Sequence, residues 1–250
     1  MKIKILIIFF FLETFANAQV IPVGFVKQIP GPPLPAINTT GLILHLDATN
    51  TSSYKGSGTT WNDLSGQNNN PTLVGNPTLS SNPASFRFAL GKYASTTKSD
   101  ISLTTATFIA WVYPTQTQNN YTGIIFSRNG NPSGLNLHSN NSVGYHWNGS
   151  NYDWNNGDFL KAPNNTWSMI AVSVSASSAT AYLCEPTGIS KATKSATHSA
   201  VSSLKFYIAV DPSYLNSREF IGKIATAVVY NFALTEAEIT SIYNSQKSYF

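Results

Sequence analysis

Apolar and polar residues along most of this chain alternate with a period of two, the spacing of strands rather than helices. The clearest instance is 107–113, where Phe108, Ala110 and Val112 fall on one face and Ile109, Trp111 and Tyr113 on the other. Both faces of that strand carry large apolar groups, so both are expected to be covered. Pro114, which lacks an N–H to donate, ends it. Further short strands are predicted at 42–46, 85–90, 123–127, 135–138, 143–147, 168–174, 180–183, 205–210 and 222–230, with turn-forming residues between them. Many short strands at this spacing read as a β-sandwich. Only the last segment changes period. Thr235 followed three residues later by Glu238 is a capping box, and Leu234, Ile239, Ile242 and Tyr243 then share one helical face.

The ends of the pattern look different. Lys2 and Lys4, an apolar run at 5–12 and the small residues Ala16 and Ala18 make the three-part plan of an export signal, expected at 1–18. The apolar run is well short of the ~20 residues a membrane span needs, so no integral span is expected once the signal is removed. Residues 19–40 hold five prolines (Pro22, Pro30, Pro32, Pro33, Pro35) and read as an extended leader joining the signal to a domain at 41–250. A secreted, extracellular or cell-surface location follows as the expectation.

Composition narrows the classes further. Charged residues make up only 10% of the chain, against ~25% in ordinary domains, and Asn, Ser and Thr fill the gap. These residues hydrogen-bond locally and suit turns and loops, which excludes bundles and coiled coils. The net charge of +4 is spread thinly, with arginine only at 87, 128 and 218, so no stripe exists that could neutralise several phosphates and no nucleic-acid partner is expected. Cys184 is the single cysteine, which excludes an intrachain disulfide; its neighbours predict a buried, inert thiol in a strand.

Four stretches resemble the laminin-G-like domains of the concanavalin A-like lectin/glucanase superfamily. They are Gly41-Leu42-Ile43-Leu44-His45-Leu46-Asp47-Ala48 with Trp61-Asn62-Asp63-Leu64-Ser65-Gly66; Phe108 to Pro114; Asn165 to Val172 with Ala179 to Leu183; and Phe220 to Ala225 continuing through Val229-Tyr230-Asn231 to Leu234-Thr235-Glu236-Ala237-Glu238-Ile239. The resemblance spans about 41–247. It implies an all-β fold of two stacked antiparallel sheets in a jelly-roll arrangement, here closed by one short C-terminal helix, with loops gathered at a rim. It also implies glycan or protein binding, β-glucan hydrolysis in some members, and attachment or virion structural roles in others. Calcium binding is a further implication, for which Asp47 and Asp63, beside Asn68, Asn69 and Asn70, or Asp153 with Asp158, supply the oxygens a hard cation takes.

The hydrolase motif of that superfamily, Glu-x-Asp-x-x-Glu on one strand face, is missing. The glutamates beyond the signal are Glu185, Glu219, Glu236 and Glu238, none with an acidic residue at strand spacing. His45, His138, His146 and His198 are too dispersed for a zinc signature, and no nucleophile motif occurs. No catalytic residue is therefore predicted. The densest polar-aromatic segment is 145–158. Sugars offer flat C–H faces edged with hydroxyls, which calls for aromatic platforms beside directional amides and carboxylates. Trp147, Asn148, Tyr152, Asp153, Trp154 and Asn155 are the predicted ligand-binding residues; the alternative for the same segment is a hairpin whose Trp147 is core and whose Asn148-Gly149 is ordinary turn chemistry. Two functions stand side by side: a secreted, non-catalytic module whose partner is a glycan, and a structural, adhesion or assembly protein of a cell or virion surface whose partner is another protein. Glucan hydrolysis is third.

Overall fold

The computed structural model describes residues 34–154 and 160–250. Its seventeen strands are β1 (Leu42–Asp47), β2 (Thr72–Val74), β3 (Thr78–Ser80), β4 (Ser85–Phe88), β5 (Tyr93–Ser95), β6 (Ile101–Leu103), β7 (Ala106–Pro114), β8 (Thr122–Ser127), β9 (Ser133–Leu137), β10 (Val143–Trp147), β11 (Ser150–Asp153), β12 (Ser168–Val174), β13 (Ser178–Glu185), β14 (Gly188–Ser195), β15 (Val201–Leu204), β16 (Tyr207–Ile208) and β17 (Gly222–Tyr230), followed by the helix α1 (Glu236–Gln246). The first sheet has eight strands in the order β14-β13-β12-β7-β17-β4-β3, with β1 also paired to β17. The second has seven, in the order β11-β10-β9-β8-β16-β5-β2, and β6 and β15 form a small ribbon. The described strand pairings are antiparallel, as expected of a two-layer sandwich.

The two-faced pattern of β7 is realised. Phe108, Ala110 and Val112 point between the sheets, joined by Ile170, Val172, Ile224 and Val229 from its neighbours and by Leu135, Leu137, Val143 and Tyr145 from the second sheet. Ile109 and Trp111 face outward under a second apolar layer built from Ile37, Tyr230, Leu234, Ile239 and Tyr243. Each fully buried Phe, Leu or Ile stabilises the fold by roughly 1.5–3 kcal/mol, so this double cover makes β7 the mechanical centre of the domain. A register shift between Ile224 and Thr226 changes which residues of β17 face inward: Ile224 before it, Ala227 and Val229 after it. The edge of β17 away from β7 is shared, with β4 paired at Gly222 to Ile224 and β1 at Thr226 to Tyr230.

The capping box is present, with the Thr235 hydroxyl receiving the Glu238 N–H while the Glu238 carboxylate receives the Thr235 N–H. The last part of the proline-rich 19–40 segment is packed rather than free. Leu34 and Ile37 are buried, the Leu34 N–H donates to the Thr49 hydroxyl, and the Tyr230 hydroxyl donates to the Asn38 carbonyl. The packed region thus begins no later than Leu34, whereas the sequence suggested 41; the signal expected at 1–18 lies outside the described residues. The short strands β2, β3, β5 and β6 lie in turn-rich sequence, and β14 at the sheet edge carries Lys191 and Lys194, which discourage edge-to-edge pairing. No helix among the described residues is long and apolar enough to cross a membrane. Cys184 is buried on β13, its thiol pushed up to about 12 by burial.

Candidate functional site

The hairpin β10–β11 decides which of the predicted ligand residues meet solvent. Tyr145 is paired with Tyr152 and His146 with Asn151, so the pleat separates the hairpin into two sets. Tyr145, Trp147, Tyr152 and Trp154 take the inner side; Gly144, His146, Asn151 and Asp153 take the outer. Inside, Tyr145 stacks on Tyr152 with ring centroids 4.8 Å apart and lies 5.6 Å from Trp154. Trp147 is 1% exposed, and its indole N–H donates to the Ser199 carbonyl at 2.7 Å. The expectation that Trp147 and Trp154 offer open platforms is therefore corrected: both rings are buried in the inter-sheet core, because a period-two pattern fixes which residues share a face but not which face looks outward. Asn148 remains exposed at the hairpin turn, bonded to Asn131 and Ser199. Tyr152 is half-buried, Asp153 lies beside His138, and Asn155 lies outside the described residues.

The outer side of the second sheet holds a denser set of functional groups. Asn136 from β9, His138 just after it and His146 from β10 form a polar floor, the His146 imidazole lying 3.2 Å from the Asn136 amide oxygen. The His138 ring fits against Gly144, where a Cβ would come within 2.3 Å of the imidazole. Burial drives the His146 pKa down to about 4, with Arg128 pushing the same way, and burial also lowers His138 against the opposing pull of Asp153. Both imidazoles are thus neutral at pH 7. The Asn136 amide nitrogen and His138 Nε2 are buried with no hydrogen-bond partner, two of a handful of such atoms among the described residues.

Tyr121 closes over this floor. Its ring meets both imidazoles edge-on, at 4.9 Å from His138 and 5.3 Å from His146, and its hydroxyl lies near Asn151. Its φ of 65° is a left-handed conformation that bulky residues rarely adopt, so the surrounding structure holds it there at a cost of about 1–3 kcal/mol. Beside it, the loop after β16 brings Asp211 and Arg218 to Arg128 at the end of β8. Asp211 is fully buried and accepts from Arg128 Nε at 2.7 Å and Nη2 at 2.5 Å, and from Arg218 Nη1 at 3.0 Å. Arg218 stacks 3.7 Å from the exposed Tyr214 ring and 4.9 Å from Tyr121. The same two segments, 116–121 and 211–219, border a cleft of about 510 Å³ lined by Gln116, Gln118, Asn119, Asn216, Glu219 and the exposed Leu90. Aromatic edges, amides and guanidiniums so arranged can hold a polar ligand by stacking and directional hydrogen bonds.

These residues were not singled out from the sequence. Arg128 and Asp211 are separated by 83 positions, and only the pairing of β16 with β8 brings them together. The alternation through 143–153 was the available signal for His146 and Asn151.

Asp47 and Asp63, the residues expected to supply oxygens to calcium, are each engaged in local turn chemistry. Asp63 accepts the N–H groups of His45, Ser65 and Asn69 and the Ser65 hydroxyl, occupying both carboxylate oxygens in turn chemistry. Asp47 accepts the N–H and hydroxyl of Thr49. Among the described residues, no group of three or more His, Cys, Asp or Glu is placed to hold a metal ion.

Residues 88–240 match a laminin-G-type family profile described as the concanavalin A-like lectin/glucanases superfamily. No curated protein sequence matches significantly. Among solved structures, domain 4 of AbnA, a GH43 extracellular arabinanase from Geobacillus stearothermophilus, in complex with arabinotriose, superposes with a TM-score of 0.59 at 16% identity over 80% of this chain and 97% of that one. The ligand binding domain of Botulinum neurotoxin serotype D in complex with N-acetylneuraminic acid gives 0.62 at 14% identity over 83% and 52%. Trypanosoma rangeli sialidase gives 0.57 at 14% identity over 89% of this chain but 37% of its own. These likenesses are in fold; the chain spans about a third of the sialidase and half of the toxin domain.

Proposed function

Because the chain belongs to the concanavalin A-like lectin/glucanase superfamily, we propose that it is a secreted, non-catalytic carbohydrate-binding module whose ligand lies on the outer face of the second sheet. The observation that carries this reading is Tyr121: a strained aromatic residue spread over two neutral imidazoles and an amide, beside an exposed tyrosine and an amide-lined cleft. Aromatic area together with partly unpaired polar groups is what sugar recognition uses. Asn148 and Asp153, from the hairpin predicted at the outset, flank this face and extend it. The sugar complexes of the arabinanase domain and the toxin domain support carbohydrate as the ligand class.

The non-catalytic reading rests on the described carboxylates of this face. Asp211 is committed to two arginines and both oxygens of Glu219 accept backbone N–H groups, which leaves neither placed to give a proton to a glycosidic oxygen. An array of plant, algal, bacterial and animal glycans tests the proposal, with Tyr121→Ala and Tyr214→Ala alongside. Binding by the native protein, weakened about tenfold or more in the variants at an unchanged melting temperature, is the expected result. Silence across the array, or a stable oligomer in light scattering with no glycan bound, would replace it with the assembly reading.

A further inference from the structure

We infer that this face selects sugars bearing a carboxylate, with Arg128 and Arg218 as the groups that receive it; the inference rests on the glycan reading above and names the ligand class for the same site. The chain has three arginines, and two of them converge on one aspartate. One buried carboxylate against two guanidiniums leaves a surplus of one positive charge. Among the described residues no carboxylate other than Asp211 is paired with either guanidinium. His138 and His146 are neutral, and Asp153 has the Lys194 ammonium bonded to its own carbonyl. Glu219 is turned to the Gly91 and Asn216 N–H groups.

The hydrogen-bond count points the same way. A guanidinium has five N–H donors. Arg128 spends Nε and Nη2 on Asp211, and Arg218 spends Nη1, with no further acceptor for either among the described residues. Both side chains keep about a fifth of their surface, at 20% and 21%. Tyr214, 44% exposed, is flanked by both, at 5.1 Å and 3.7 Å. A pin that merely fastened the 211–219 loop to β8 would need one arginine. Two, oriented by a shared aspartate and backed by an aromatic ring, form a preorganised fork for a planar anion, which suits arginine better than lysine.

The test compares matched pairs on the full chain: sialyllactose against lactose, and galacturonate oligomers against their methyl esters, which also separates sialic from uronic acids. The charged member should bind about tenfold tighter or more, with the advantage shrinking as NaCl rises from about 50 mM to about 500 mM. Arg218→Gln should bring the affinity for the charged member down to that of its neutral counterpart measured on the same variant, and Arg218→Lys should restore only part of the preference. Should either variant fail to fold, the acid–ester comparison on the native protein still decides. Equal affinity for acid and ester overturns this inference and leaves the glycan reading intact; absence of binding to every glycan removes both.

Discussion

The two sheets of this domain are alike in architecture and opposite in what they do with their outer faces. The first sheet turns Trp111, Met169, Tyr182 and Val228 outward and buries them under α1 and the chain around Ile37. Buried polar groups on that face are answered: the Trp111 indole N–H by the Gln246 amide oxygen at 2.8 Å, and the Thr107 and Ser173 hydroxyls by the Phe232 and Leu234 carbonyls, while the Trp111 ring stacks 4.0 Å from Phe250. The second sheet turns Asn136, His138, His146 and Asn151 outward, with Tyr121 against both imidazoles and, among the described residues, the Asn136 amide nitrogen and His138 Nε2 left unpaired. An unpaired buried polar group costs about 1–3 kcal/mol; two lie on this face, while others, such as Ser168 Oγ on β12 and the Trp61 indole nitrogen, lie elsewhere in the fold. The covered face serves the fold; the polar face is the one on which we propose that the ligand lies.

That contrast can be broken by mutation. Trp111→Ala should remove the stack and the hydrogen bond together and destabilise the domain by about 3–5 kcal/mol in denaturant unfolding, whereas Tyr121→Ala on the opposite face should cost less than about 1 kcal/mol. Comparable losses at the two sites would dissolve the distinction. The pH dependence sharpens it from the polar side. Unfolded His146 takes a proton near 6.5 but the folded protein refuses it until about 4. Stability from this group is therefore complete above 6.5, falls as the pH drops toward 4, and is level below that, a loss of up to about 3 kcal/mol. His146→Gln should flatten that stretch of the stability–pH curve; an unchanged slope would show that His146 is not held neutral by burial. The smallest expected effect belongs to the helix that covers the first sheet. Thr235→Ala removes the cap and should cost about 1 kcal/mol, seen as a drop of a few degrees in melting temperature without change in ligand binding.

Much of the fold was readable from residues alone because its determinants are local. The alternation at 107–113, the strands at 143–147 and 168–174, and the Thr235–Glu238 box all depend on neighbours within one or two turns of chain. The aromatic cluster at 145–154 was equally visible, but its meaning was not. Trp147 and Asn148 are adjacent in sequence, and one is core while the other is solvent. Composition cannot distinguish them; only the pairing of β10 with both β9 and β11, and the Ser199 carbonyl waiting for the indole, does so. The local partners of Asp47 and Asp63, backbone N–H groups and the Thr49 and Ser65 hydroxyls, were hidden for a related reason, since no side-chain pattern reveals which N–H groups a turn will present.

By itself, then, the sequence determined that the chain forms short antiparallel strands, that β7 is buried on both sides, and that a capped helix closes the domain, since periodicity and capping are properties of the local backbone. The tertiary structure alone decided that the tryptophans of the hairpin look inward, and that Arg128, Asp211, Arg218 and Tyr121 share one surface. Facing is set by register across strands, and charges far apart in the chain become neighbours only after the sheet has brought their strands side by side.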